Sequence, residues 1–102
     1  MRKIKVIIKR PDEAVGHMSW ISDTLENLQR TVGGPIEMVK IASDCAIICN
    51  EEGKLRGLPY NFTLLGEDFV GEVIFAGVDG EELADVPLTM PQFRKYFAEV
   101  WK

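Results

Sequence analysis

The segment NEEGKLRGLPYN, residues 50–61, contains the side chains best suited to chemistry in this chain. Adjacent glutamates can serve as general acid and base where a pocket perturbs their pKa values. A small hydrolase-type enzyme of this kind needs Glu51 or Glu52 to meet Asn61 and His17, the one histidine of the chain. No HExxH, CxxC or GxSxG motif accompanies His17, so we favour a protein that is not an enzyme.

The acidic half of this segment also fits a simple turn. Asparagine at the first position of residues 50–53 and glycine at the fourth are typical of a type I turn, with the glycine at positive φ in a bulged hairpin. Residues 54–56 then form a returning strand. The two glutamates lie at the tip of this predicted turn, in solvent.

Residues 57–68 show no strand or helix periodicity, and they are long for a connection in a small domain. Irregular loops of this length are commonly functional. If the loop is only structural, Leu58 and Phe62 cover the margin of the core and Asn61 hydrogen-bonds its own backbone. We expect instead that it binds a ligand or partner, through Gly57, Leu58, Pro59, Tyr60 and Asn61.

Metal and cofactor motifs do not appear in the sequence. The acidic cluster of Asp79, Glu81, Glu82 and Asp85 lacks the alternating ligands and the distal glutamate of a calcium loop. No GxGxxG or GxxxxGK loop is present to hold a phosphate. We therefore expect no metal and no cofactor.

Cys45 and Cys49 lie in an apolar run that predicts a buried strand. At roughly 3.3 Å per residue, their positions on a strand are about 13 Å apart, too far for a disulfide or a shared metal ion. We expect two buried thiols that act as small apolar side chains.

Five of the 12 basic residues fall in the first ten positions, which hold no acid, so residues 11–102 carry 7 basic and 16 acidic side chains. An acidic body disfavours nucleic acid. Lys3, Lys5 and Lys9 could bind it from the first strand, but lysines also keep an exposed sheet edge from pairing with other molecules. We favour that protective role, because no aromatic residue interleaves the lysines.

The elements that must position these residues follow from periodicity and turn chemistry. Ile4, Val6 and Ile8 predict a strand with one buried and one solvated face, paired with a second strand at residues 16–21. A capping box of Asp23 and Glu26 predicts a helix near residues 24–32, ended by a double glycine. Residues 36–41 and 45–49 predict a hairpin of two central strands.

The second half of the chain predicts one more hairpin and a helix. Residues 69–78 form its clearest strand, and Asp79-Gly80 predicts a type I′ turn into a short strand at residues 81–84. Thr89 and Gln92 predict a capped helix. We expect an aromatic stripe to be the buried face of this helix: Phe93, Tyr96, Phe97, Val100 and Trp101.

Together these elements predict a single α+β domain over residues 1–102. We expect a largely antiparallel sheet of about five strands with two helices packed on one face. No apolar run is long enough to span a membrane, and the start of the chain lacks signal-peptide character, so we expect a cytoplasmic protein. It is predicted to be a monomer, or a homodimer paired through an exposed sheet edge.

Three segments resemble a bacterial and phage family, domain of unknown function 3846: LENLQRTVGGPIEMVKI, ICNEEGKLRGLPYN and GEVIFAGVDGEE. The resemblance implies a bacterial or mobile-element setting and no established activity. Tyr60 and Phe62 depart from the family pattern, so it carries over no anion-binding role for this loop. We expect an accessory binding module whose partner is a protein or a small molecule.

Overall fold

The computed structural model describes residues 2–101, with all of their side chains but that of Val100. This part of the chain forms eight strands and two helices. The strands are β1 (Lys3–Lys9), β2 (His17–Ser22), β3 (Ile36–Ala42), β4 (Cys45–Asn50), β5 (Tyr60–Leu64), β6 (Glu67–Val70), β7 (Val73–Asp79) and β8 (Glu82–Ala84). Helix α1 (Leu25–Val32) follows β2, and helix α2 (Met90–Lys95) continues as a π-helical turn over Tyr96–Val100.

Six strands form one antiparallel sheet, in the order β2, β1, β7, β4, β3, with β8 also paired to β7. One side of β7 pairs with β4, and the other pairs with β1 and then with β8. Strands β5 and β6 form a separate antiparallel hairpin. The predicted α+β class with a largely antiparallel sheet is confirmed, with more strands than expected.

Two apolar cores lie on the two faces of this sheet. One face packs against α1, which contributes Leu28 and Val32. The opposite face packs against the β5–β6 hairpin and α2, whose Phe93 contacts Phe75 of β7. The neighbouring Ile74 belongs to the first core. The helices therefore lie on opposite faces, and the prediction of one shared face is wrong because both faces of the central strands are apolar.

The first half of the chain follows the predicted order, with two corrections. Strands β1 and β2 pair as expected, and α1 ends at Gly33, whose φ is 84°. The side chain that caps α1 is Thr24, which accepts from the backbone N–H of Asn27, and not Asp23. Of the two strands predicted to be central, β4 is central and wholly buried, whereas β3 forms an edge of the sheet.

The turn after β4 is not the predicted bulged hairpin. The backbone N–H of Gly53 does donate to the carbonyl of Asn50 at 3.1 Å, as a turn requires. Gly53 is not among the residues at positive φ, and the chain continues through further turns to Gly57 instead of forming a returning strand. A side chain at Gly53 would lie 2.9 Å from Val70, so this glycine allows the turn to pack closely against β6.

The predicted loop at residues 57–68 is mostly the β5–β6 hairpin. Its two-residue turn is Leu65-Gly66, with φ values of 51° and 81°. Positive φ at both central positions is the pattern of a type I′ turn. The predicted strand at residues 69–78 is divided, because β6 ends at Val70 and Gly71 adopts a φ of 72° before β7 begins.

The last hairpin and helix form near the predicted positions. Asp79 pairs with Glu82, so the turn residues are Gly80-Glu81. Only Gly80 has positive φ, which is the pattern of type II′ and not of the predicted type I′. The Thr89 and Gln92 capping box is present.

The aromatic stripe of the C-terminal helical segment is only partly buried. Phe93 is fully buried, and Phe97 and Trp101 are half-buried against the second core. Tyr96 is 39% exposed, contrary to the prediction, although its ring stacks on Trp101. The Val100 side chain lies outside the described residues.

Candidate functional site

Lys9 of β1 is buried, contrary to the prediction of a solvated lysine. Only 3% of its surface is exposed. Strand β1 lies between β2 and β7, so it is not a sheet edge and its lysines cannot protect one. Lys9 is on the same side of the strand as Ile7, and this side is covered by the β5–β6 hairpin and α2.

The ammonium of Lys9 is held by an amide and two aromatic rings. Its Nζ donates to Asn61 Oδ1 at 2.6 Å, and it lies 5.5 Å from the ring centroid of Phe62 and 5.8 Å from that of Phe97. Burial lowers the pKa of Lys9, and the negative charges of Glu13 and Asp12 offset part of this effect. No salt bridge among residues 2–101 involves Lys9.

Asn61 joins three segments of the chain. Its Nδ2 donates to the backbone carbonyls of Lys9 at 2.9 Å and of Gly71 at 2.7 Å, while its Oδ1 accepts from Lys9 Nζ. The N–H of Gly71 donates in turn to the carbonyl of Pro59 at 2.7 Å. The alternative in which Asn61 bonds its own backbone is therefore wrong. The amide instead connects β1, β5 and the link between β6 and β7.

A shallow hollow of about 600 Å³ lies at the surface beside this network of Lys9, Asn61 and Gly71. Three of its lining residues, Arg10, Tyr60 and Glu72, are the sequence neighbours of these three. We call it the proline hollow, and its lining is Arg10, Pro11, Asp12, Pro59, Tyr60 and Glu72. Most of the lining surface is apolar.

Tyr60 is largely exposed, and its hydroxyl is hydrogen-bonded. The residue is 58% exposed, and its hydroxyl lies 2.6 Å from Thr63 Oγ1. Thr63 donates to Asp68 Oδ1 at 2.7 Å, because a carboxylate can only accept. The Tyr60 hydroxyl is therefore the donor to Thr63. More than half of the residue therefore remains exposed to a partner.

Charged groups border the hollow. Arg10 Nε donates to Glu72 Oε1 at 2.9 Å, and this hydrogen bond raises the pKa of Arg10. Burial acts to raise the pKa of Glu13, but hydrogen bonds from His17 Nδ1 at 2.8 Å and the Arg10 backbone at 3.0 Å outweigh it, so the pKa is lowered. Asp12 is exposed, and no salt bridge in the described part of the chain involves it.

The five predicted binding residues have different environments. Pro59 and Tyr60 line the hollow, and Asn61 lies in the network beside it. Leu58 lies against Gly71, where an added side chain would come within 2.8 Å of it. Gly57 is exposed with a φ of 67° and has an open space where a side chain would lie.

Sequence reasoning missed four lining residues, Arg10, Pro11, Asp12 and Glu72. In the sequence, Pro11 and Asp12 offer only the side chains of a turn. Their approach to Tyr60 depends on the pairing of Lys9 with Val73, which local patterns do not reveal.

The carboxylates of the hypothetical hydrolase do not meet their partners. Glu51 and Glu52 are exposed on the turn after β4. His17 bonds Glu13, and Asn61 bonds the Lys9 side chain and two carbonyls. The arrangement proposed for acid and base catalysis is thus not assembled in this structure.

A smaller cavity of about 90 Å³ lies between that turn and β6. It is lined in part by Glu37, Glu51, Glu67, Asp68 and Cys49. Burial, and then Glu37, raise the pKa of Cys49 to about 11, so at neutral pH this thiol is protonated and weakly nucleophilic. Within residues 2–101, no group of three or more histidine, cysteine or acidic side chains is arranged to hold a metal ion.

The site and fold define a small α+β protein with a preformed, mostly apolar surface hollow. Residues 4–100 match the model of a family described as domain of unknown function (DUF3846), and the chain belongs to that family. Neither the curated proteins nor the solved structures include a match. No helix in the described residues is long and apolar enough to cross a membrane.

Proposed function

We propose that the protein is a small, non-enzymatic binding module whose proline hollow holds a segment of a partner protein. The observation that carries this proposal is the exposed Tyr60 ring beside Pro59, held in place by the Thr63 and Asp68 hydrogen bonds. A surface that is ordered before binding loses little entropy when a partner arrives. Tyrosine is also among the residues that contribute most to protein interfaces.

The shape of the hollow favours a protein segment over a small molecule. Pockets for small ligands usually enclose most of the ligand surface. The proline hollow is shallow and open, and two prolines and a tyrosine are among its lining residues. We favour a protein segment over nucleic acid as well, since the burial of Lys9 removes one of the three lysines that could have contacted phosphates.

The family resemblance supports a setting for this activity. We propose that the protein acts in the cytoplasm of bacteria, as an accessory protein of a phage or an integrated element. Its role there is to bind a protein of the host or of the element.

The test compares which bacterial proteins are captured by three immobilised forms of this protein: wild type, Tyr60→Ser, and the control Leu55→Ser. Leu55 is 91% exposed and does not line the hollow. We expect a bacterial protein to be retained by wild type and Leu55→Ser and lost with Tyr60→Ser. After purification it should shift the amide resonances of Arg10, Asp12, Tyr60 and Glu72.

Pro59→Ala replaces Tyr60→Ser if the amide spectrum of the latter shows unfolding. Retention that is equal for all variants, or resonance shifts confined to other surfaces, overturns the proposal. So does selective retention of a nucleic acid or a metabolite.

A further inference from the structure

Building on the proposed function of the proline hollow, we infer that its ligand is an extended, proline-containing segment that carries a basic residue. The hollow combines the flat ring of Tyr60 with the rings of Pro11 and Pro59. Grooves of aromatic side chains commonly bind polyproline II segments, whose own conformation is already restricted. Such a ligand loses little entropy on binding, which suits a small contact surface.

The hydrogen-bonding groups at the hollow fit an extended backbone. A polyproline II segment has no internal hydrogen bonds, so its carbonyls need external donors. The side-chain hydrogen bond of Arg10 uses Nε, toward Glu72. The remaining N–H groups of the Arg10 guanidinium can therefore donate to ligand carbonyls at the border of the hollow.

The charges at the hollow favour a basic ligand. Its lining holds two carboxylates, Asp12 and Glu72, and one cation, Arg10. Arg10 pairs with Glu72 at 2.9 Å, and Asp12 is exposed without a salt bridge among residues 2–101. Asp12 is thus the group best placed to accept an arginine of the ligand, since a guanidinium and a carboxylate can form two parallel hydrogen bonds.

The small number of apolar lining residues disfavours an amphipathic helix as the ligand. A helix is about 10 Å wide with its side chains, and it binds through an apolar stripe along several turns. Only three of the six lining residues of the hollow are prolines or tyrosine. A short extended segment matches this surface.

The test uses three synthetic peptides and amide chemical-shift titration of the full chain. The parent peptide is of the proline-x-x-proline type with one terminal arginine. The second peptide has alanine in place of each proline, and the third has glutamine in place of arginine. We expect the parent to shift Arg10, Asp12, Tyr60 and Glu72, and the alanine peptide to bind about ten-fold more weakly because its chain must be ordered.

The basic residue is tested with Asp12→Asn. We expect glutamine in the peptide or Asp12→Asn to weaken binding by about three-fold, the range typical of an exposed ion pair. Both changes together should have no more effect than either alone, because they remove the same interaction. The control variant Leu55→Ser should bind all three peptides as wild type does.

Any one of three results overturns the inferred ligand. The parent and alanine peptides bind equally, the effects of the two charge changes are additive, or the parent peptide causes no amide shifts at millimolar concentration. These results are separable from those on the proposed function. If a protein is captured by wild type but not by Tyr60→Ser, and the peptides do not bind, the binding-module proposal stands and this ligand class is excluded. If capture does not depend on Tyr60, both the proposed function and the inferred ligand are overturned.

Discussion

Lys9 Nζ donates a 2.6 Å hydrogen bond to Asn61 Oδ1, although the two residues are 52 positions apart in the chain. This contact joins an interior strand of the main sheet to the β5–β6 hairpin. Because Asn61 also donates to the carbonyls of Lys9 and Gly71, the segments that border the proline hollow are held by one side chain. The geometry of the hollow thus depends on a buried polar network.

Asn61→Ala should be strongly destabilising. It leaves the Lys9 ammonium without its hydrogen-bond acceptor and two buried carbonyls without their donor. Since one unsatisfied buried group costs about 1–3 kcal/mol, we expect the free energy of unfolding to fall by about 3 kcal/mol or more. Urea denaturation measures this change. The exposed control Leu55→Ser should change it by less than about 0.5 kcal/mol, and an equal effect of both variants would contradict the role of Asn61.

Lys9→Met should cost less than Asn61→Ala. It leaves only Asn61 Oδ1 unsatisfied, and it also removes a buried charge whose desolvation opposes folding. We expect a loss of about 1 kcal/mol in the same urea experiment. A loss larger than that of Asn61→Ala would show that the charge of Lys9 is stabilising where it lies.

Lys9 should make stability depend on pH in the alkaline range. Its pKa is lowered in the folded protein from the ordinary 10.5, so between these two values the unfolded chain binds more protons. The contribution of Lys9 to the free energy of unfolding therefore rises with pH through that window. We expect the difference between wild type and Lys9→Met to shift in favour of wild type from neutral pH to pH 10.5. A difference that stays constant contradicts the lowered pKa.

The thiols of Cys45 and Cys49 should have the opposite effect and lower the stability as pH rises. Burial is the main cause that raises the pKa of Cys45 and Cys49 from 9.0 to about 11, so between pH 9 and 11 the folded protein retains protons that the unfolded chain loses. Stability should fall as pH rises through this window, by at most about 3 kcal/mol per thiol at about 1.4 kcal/mol for each pKa unit.

This slope is measured by urea denaturation in the Lys9→Met background, which lacks the opposing effect of lysine. Cys45→Ala and Cys49→Ala should each make the decline shallower, whatever their effect at neutral pH. An unchanged slope in both variants would mean that the thiols are not the cause.

Leu65→Asn should stabilise the β5–β6 hairpin. Leu65 has a φ of 51° and is 58% exposed, so it adopts a left-handed conformation without much burial in return. That conformation costs about 1–2 kcal/mol for most side chains and less for asparagine. We expect a gain of about 1 kcal/mol in urea denaturation. The matched control is Leu55→Asn, the same change at another exposed leucine, and an equal gain there would exclude the backbone explanation.

The sequence predicted the elements whose signals are local. The capping box of Thr89 and Gln92 and the alternation of Ile4, Val6 and Ile8 each depend on residues a few positions apart, and both appear in the structure. The β5–β6 hairpin was missed because leucine precedes glycine in its turn, where asparagine or aspartate is the usual signal.

The candidate site was predicted only in part, for a different reason. Pro59 and Tyr60 attract notice in an irregular segment, but the burial of Lys9 depends on Phe62 and Phe97, which are far away in the chain. Polar and apolar alternation along β1 cannot show that a second layer covers its lysine face. Placement of Arg10 beside Glu72 likewise requires the pairing of β1 with β7.

The central position of β7 has a consequence for the order of folding. Hairpins β1–β2 and β3–β4 are local and can form early, but neither pairs with the other. Each must wait for β7, whose residues follow those of both hairpins in the chain. Because long-range strand pairing is slow, we expect the rate-limiting step to be the insertion of β7 between two preformed hairpins. During synthesis, residues 3–50 should therefore pass through a stage with two separate hairpins and unpaired strand edges, the stage most exposed to aggregation.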